Sequence, residues 1–199
     1  MIKFKEFITE RMSSVTYHHL TVYDLISIIE SDTFVMTKMH SYSDEYKLVP
    51  KKKKFKDEMY FMSTARSLSS NFPQNSLHGD AIIKLDGEKL NHKYQSQPVD
   101  YYGSEYADKE NKRVEAEDRL ISNNGEIEDF NQYIKEIMVI VDPVIPHRAE
   151  ILENIKQLYK LSKDYRIPIK FYAKSNRYGI VFSKKYNISY DDVIKIQTT

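Results

Sequence analysis

Val15-Thr16-Tyr17-His18-His19-Leu20, then Thr21, then Val22-Tyr23-Asp24-Leu25-Ile26-Ser27-Ile28-Ile29-Glu30-Ser31, is the stretch that decides how the chain begins to fold. Its first six residues are rich in β-branched and aromatic side chains and read as a strand. Thr21 is placed to N-cap a helix over 22–31, with Asp24 three residues on as a weak capping box. Leu25, Ile26 and Ile29 fall on one stripe of that helix. Thr33 to Met39 then returns to strand character. The opening unit is therefore strand–helix–strand.

Working outward, Met59-Tyr60-Phe61-Met62-Ser63-Thr64 is an apolar strand running into small hydroxyl residues. Residues 65–77 read as irregular or briefly helical. Ala81-Ile82-Ile83-Lys84-Leu85 is a strand closed by an Asp86-Gly87 turn signal, with a short helix near 88–92. Pro98 to Tyr102 reads as an edge strand and 103–112 as a charged loop. Glu115-Ala116-Glu117-Asp118-Arg119-Leu120-Ile121 alternates as a strand, with a helix the rival on propensity. Ile134 to Val141 is a buried strand, stopped by Asp142-Pro143. An amphipathic helix follows at 148–163, then strands at 167–172 and 178–182. No repeat or linker divides the chain, so the expected organisation is a head over 1–12 and one α+β domain over 13–199.

The 199 residues carry 30 Lys+Arg against 29 Asp+Glu, a balance unlike the strongly basic domains that hold nucleic acid by charge. The absence of cysteine excludes disulfides and thiolate-ligated metals. The six histidines, at 18, 19, 40, 78, 92 and 147, lack metal-site spacing, so no metal is expected. No run of about 18 apolar residues and no signal-peptide core occurs, so neither a membrane span nor secretion is expected. The five glycines, at 79, 87, 103, 125 and 179, are dispersed, which excludes a Walker loop and the G-x-G-x-x-G turn.

Three polar clusters lie on or beside strands: Tyr17-His18-His19-Leu20-Thr21, Tyr60 with Ser63-Thr64-Ala65-Arg66, and Glu115-Ala116-Glu117. Each alone has an ordinary reading as a structural histidine, a turn or cap, and a solvated strand face. Their order resembles the ADP-ribosyltransferase superfamily: an aromatic-His-x-Thr strand, an aromatic strand ending in Ser-Thr, and a Glu-x-Glu strand. The resemblance spans about residues 15–142 and includes the opening strand–helix–strand. It implies a fold with a mixed or antiparallel split β-sheet core and flanking helices. It implies NAD as substrate, held by His19, Thr21, Tyr60, Ser63 and Thr64, with Glu117 as the catalytic carboxylate and Glu115 engaging the acceptor. Arg66 is placed either to bind the NAD pyrophosphate or to pair with a surface acid. His18 is the rival of His19, since neighbours on a strand face opposite ways; Thr21, two residues on, favours His19.

The implied chemistry is coherent. Breaking the nicotinamide–ribose bond leaves a positively charged, oxocarbenium-like sugar, which a carboxylate near the ribose stabilises. A second carboxylate on the same face suits an arginine acceptor. The chain departs from the family at Leu20, where glycine is usual, at Ala65, where a second serine is usual, and at Asp118, where an apolar residue is usual. Leu20 and Asp118 favour the alternative, an inactive transferase-like capsid component or host-factor inhibitor.

The head, Lys3-Phe4-Lys5-Glu6-Phe7-Ile8-Thr9-Glu10, resembles the targeting heads of internal proteins of tailed bacteriophages, with Ile8-Thr9-Glu10 like their protease sites. That resemblance implies a phage-encoded protein, packaged in the virion and acting on a host protein in the bacterial cytoplasm.

Overall fold

The structure is a computed structural model, described here for residues 13–38, 60–66, 68, 80–99, 117–141, 149–173 and 187–198. Strand β1 (Val15–Leu20) passes into helix α1 (Val22–Ser31) through Thr21. The Thr21 hydroxyl accepts from the Asp24 amide at 3.0 Å, the N-cap bond expected, while the Asp24 carboxylate accepts from that hydroxyl at 2.7 Å, where a capping box has it accept from the backbone amide of Thr21. Val22, Leu25, Ile26 and Ile29 are its buried stripe. The helix stops at Asp32, whose backbone is left-handed (φ 50°) and whose carboxylate accepts from the Asn131 amide at 2.7 Å.

The expected single strand at 33–39 is two. β2 (Thr33–Val35) pairs with β8 (Glu126–Glu128) in a small separate sheet, whereas β3 (Thr37–Lys38) pairs with β4 (Tyr60–Ala65). Between them Met36 turns its side chain into the core, and its amide donates to the Gly125 carbonyl at 2.7 Å. β5 (Ala81–Asp86) runs into α2 (Gly87–Lys93), where Asp86 caps the helix by accepting from the Lys89 amide. The edge strand β6 spans Gln95–Val99, earlier than the 98–102 expected. β7 (Glu117–Ser122) is a strand and not the rival helix.

A 3₁₀ turn (Phe130–Tyr133) leads into β9 (Ile134–Val141), α3 (Ala149–Asp164) and β10 (Ile169–Ala173). β11 (Asn187–Ile188) and α4 (Tyr190–Thr198) complete the described chain. The expected head at 1–12, most of the irregular stretch at 65–77, the loop at 103–112, the Asp142-Pro143 stop and the strand at 178–182 lie outside the described residues.

The main sheet runs β11-β10-β9-β5-β1-β4-β7-β6, with β3 also on β4. Among the described strands only β9 and β10 are parallel, joined across α3; every other pair is antiparallel. This is an α+β chain built on a mostly antiparallel open sheet. One face of the sheet carries the main core, where Leu20, Ile83, Leu120 and Ile137 pack with Leu25, Ile29, Phe130, Ile155 and Leu158. The other face carries a smaller cluster of Ile82, Met138, Ile140 and Tyr172, with Tyr17 and Leu68 against it. No helix among the described residues is long and apolar enough to cross a membrane.

Candidate active site

The three strands bearing the polar clusters are consecutive neighbours, β1-β4-β7, although they lie far apart in sequence. β4 and β7 pair over six residues, from Tyr60↔Ser122 to Ala65↔Glu117, with Ser63 opposite Arg119 and Thr64 opposite Asp118. β1 and β4 pair at one position only, Tyr17↔Ala65. Ala65 therefore sits in a row between Tyr17 and Glu117. Past that row β1 and β4 separate, and β3 takes up the far end of the same β4 edge through Thr37↔Phe61 and Lys38↔Tyr60.

Side-chain bonds span the seam where the ladder is missing. Thr16 Oγ1 donates to the Ala65 carbonyl at 3.0 Å, and His18 Nδ1 donates to the Ser63 carbonyl at 2.7 Å. Beside the seam a groove of about 470 Å³ opens between β1, α1 and β2. His18, His19, Leu20 and Thr21 form one wall; Asp24, Ser27 and Ser31 of α1 line another, with Thr33, Phe34 and Val35 of β2 beyond. Both histidines reach the groove although they alternate across β1, because the groove lies along the strand edge that β4 has left.

His19 is the group with least support from the protein. Both ring nitrogens are buried and neither has a hydrogen-bond partner. Burial, and then the neighbouring His18, push its pKa down to about 4, so the ring is neutral near pH 7. A neutral imidazole offers one donor and one acceptor, and leaving both unmade inside a protein is costly. Burial also lowers His18, partly offset by its bond to Ser63.

The remaining expected site residues divide. Ser63 sits opposite Arg119, and the strand position of Glu117 falls on the same face by alternation. Glu115 lies outside the described residues. Thr21 lines the groove, but its hydroxyl is engaged with Asp24. Thr64 is fully buried on the opposite face from Ser63, and its hydroxyl donates to the Asp118 carbonyl at 2.9 Å. It braces β4 on β7. Alternation puts Tyr60 on the core face too, where its ring lies against Gly125.

Arg66 pairs with an acid, but a buried one and not the surface acid expected. Its Nε donates to Asp118 Oδ1 at 2.7 Å, and Asp118 Oδ2 accepts from the Ser13 amide at 3.0 Å. Asp118 is 2% exposed. Its departure from an apolar residue is thus explained by a buried junction joining the start of β1, the end of β4 and β7. Leu20 lines the groove while the bulk of its side chain packs into the main core, leaving it 7% exposed.

The sequence reading singles out neither the α1 wall nor Arg119. The α1 wall has a visible signal: Asp24, Ser27 and Ser31 are polar at spacings of three and four along the helix. Arg119 is buried with its guanidinium 5.0 Å from the centre of the Phe61 ring, a cation–π contact with no spacing rule to reveal it.

No family model matches the chain, and no curated protein matches its sequence.

Proposed function

We propose that this chain is an NAD-dependent ADP-ribosyltransferase of the Glu-x-Glu type, built on a transferase-like split sheet, which modifies an arginine of a bacterial host protein. The carrying observation is the adjacency of β1, β4 and β7, with the seam beside His19 opening into a groove. Three clusters matched only by their order along the chain become three neighbouring strands. A phage origin, with action in the host cytoplasm or packaging in the virion, belongs to the same proposal.

In this reading the groove takes the nicotinamide riboside end of NAD. His19 supplies one donor and one acceptor to the ribose hydroxyls, which removes the cost of its two unmet nitrogens. The C1′–nitrogen bond to nicotinamide breaks, and nicotinamide leaves with the bonding electron pair as a neutral molecule. The Glu117 carboxylate stabilises the positive charge that develops on the ribose. An arginine nitrogen of the acceptor then bonds to C1′, and Glu115 takes the proton it sheds. No metal is called for.

The test is transfer of label from biotinylated NAD to a bacterial lysate, comparing wild type with Glu117→Gln. Labelled bands that disappear in a folded Glu117→Gln support the reading. An unchanged rate removes Glu117 from its role, and absence of both labelling and any NAD-induced thermal shift favours the binding-protein alternative.

A further inference from the structure

The wall of the groove made by α1 and β2 has one hydrogen-bonding character. Ser27 Oγ donates to the Tyr23 carbonyl at 3.3 Å, and Ser31 Oγ donates to the Ser27 carbonyl at 2.8 Å. Thr33 Oγ1 donates to the Ser31 carbonyl at 3.1 Å. A hydroxyl has one hydrogen, so each of the three commits it inside the protein and keeps only lone pairs to offer. Asp24, on the same wall, carries a carboxylate, which accepts. These four side chains thus present acceptors and no donors. A phosphate finds no partner among them. A guanidinium, with five N–H groups and no acceptor, finds several.

Charge points the same way. Residues 20–37 and 120–134, which supply α1, β2 and β8, hold Asp24, Glu30, Asp32, Glu126, Glu128 and Asp129 and neither lysine nor arginine. Val35 pairs with Glu126 and Thr33 with Glu128, so each glutamate shares a face of the small sheet with a residue that lines the groove. Both glutamates are exposed. Among the described residues neither they nor Asp24 form an ion pair with a lysine or arginine. Val35 is 70% exposed between them and offers an apolar contact for the stem of a long cationic side chain.

We propose that this wall is the acceptor subsite: it seats a positively charged segment of the modified protein, with an arginine guanidinium on Asp24 and Ser27. Those two stand three residues apart on one helix face, within about 5–6 Å of each other. The assignment rests on the transferase reading above for the identity of its occupant. It gives the acceptor a place apart from His19, which lies on the β1 wall.

The experiment is fluorescence anisotropy of the full chain with a labelled peptide of alternating arginine and alanine. The control peptide carries citrulline for arginine, which keeps the shape, removes the charge and puts a carbonyl acceptor in place of a donor. Wild type is expected to prefer the arginine peptide by about tenfold or more. Ser27→Ala should weaken its binding about threefold and Glu126→Lys/Glu128→Lys about tenfold. Equal affinities for the two peptides, or an undiminished affinity in either folded variant, overturn the assignment and leave the NAD reading standing. Should the charge-reversed protein not fold, Ser27→Ala decides, since it keeps every charge and suits a helix. Arginine-peptide binding that the variants weaken, in a protein that transfers no label from NAD, overturns the transferase reading and leaves the wall a docking site for a cationic segment.

Discussion

Arg66 Nε and Asp118 Oδ1 lie 2.7 Å apart, across the two strands that carry the Ser-Thr and Glu motifs. The acid side chain is 3% exposed and the arginine 32%. The same carboxylate receives the Ser13 amide, so the chain just before β1 is tied to β7 with no intervening ladder. A polar residue beside Glu117 thus does structural work at the place where β1, β4 and β7 meet.

Asp118→Ala is expected to cost about 2–4 kcal/mol, because it strips partners from Arg66 and from a backbone amide and leaves a small void. Asp118→Asn, which keeps the volume and one acceptor, should lose about half as much. Urea midpoints at constant slope measure both. A midpoint for Asp118→Ala equal to wild type would show that the junction contributes nothing.

Thr64→Val should lower stability by about 1 kcal/mol, since it deletes one buried hydrogen bond at nearly constant shape. NAD affinity should stay within about twofold of wild type, because the residue is fully buried on the core face. A large loss of affinity in a stable Thr64→Val protein would return this residue to the site.

His19 makes stability depend on pH. Its folded pKa of about 4 lies below the ordinary 6.5, so the unfolded chain binds the proton more readily. Its contribution is fully present above pH 6.5 and is lost as pH falls from there toward 4. Between pH 7.5 and 5 the loss attributable to this ring is about 2 kcal/mol. Denaturation at both pH values, in wild type and His19→Gln, should show a flatter dependence in the variant. Parallel slopes would mean that another group is responsible.

Arg166 follows α3 in the left-handed region, at φ 57°. The Ile167 amide donates to the Ser162 carbonyl at 2.8 Å and the Arg166 amide to the Lys163 carbonyl at 3.2 Å, the two bonds of a Schellman close. Glycine adopts this backbone without the crowding of a Cβ. Arg166→Gly should therefore stabilise the chain by about 0.5–1 kcal/mol and raise Tm by about 1–4 °C in a thermal scan. A lowered Tm would show that the arginine side chain contributes more than the backbone strain costs.

Much of the framework is legible because local chemistry and tertiary role agree. Thr21 and Asp24 announce α1, and the apolar runs at 81–85 and 134–141 become central strands. Glu126-Ile127-Glu128 is too short for any period to identify, and its partner Thr33–Val35 is set only in three dimensions. The last helix carries its signal locally: Ser189 Oγ accepts from the Asp192 amide and donates to the Asp192 carboxylate, a Ser-x-x-Asp cap visible in the sequence. In the site, alternation along β4 already separates Ser63 from Tyr60 and Thr64. That both histidines reach one groove depends on β4 leaving β1, which no property of either strand's sequence encodes.

That departure also bears on how the molecule is expected to move. β1 holds β5 through six paired residues and β4 holds β7 through six, but β1 and β4 share one. The described ladder is thus thinnest at the Tyr17–Ala65 row, and relative rocking of the two halves is expected there, resisted by the Thr16–Ala65 and His18–Ser63 bonds. A molecule that grips both halves spends part of its binding energy on freezing that rocking. Amides far from the groove, on β5 and on β7 alike, should then slow their hydrogen exchange together when it binds.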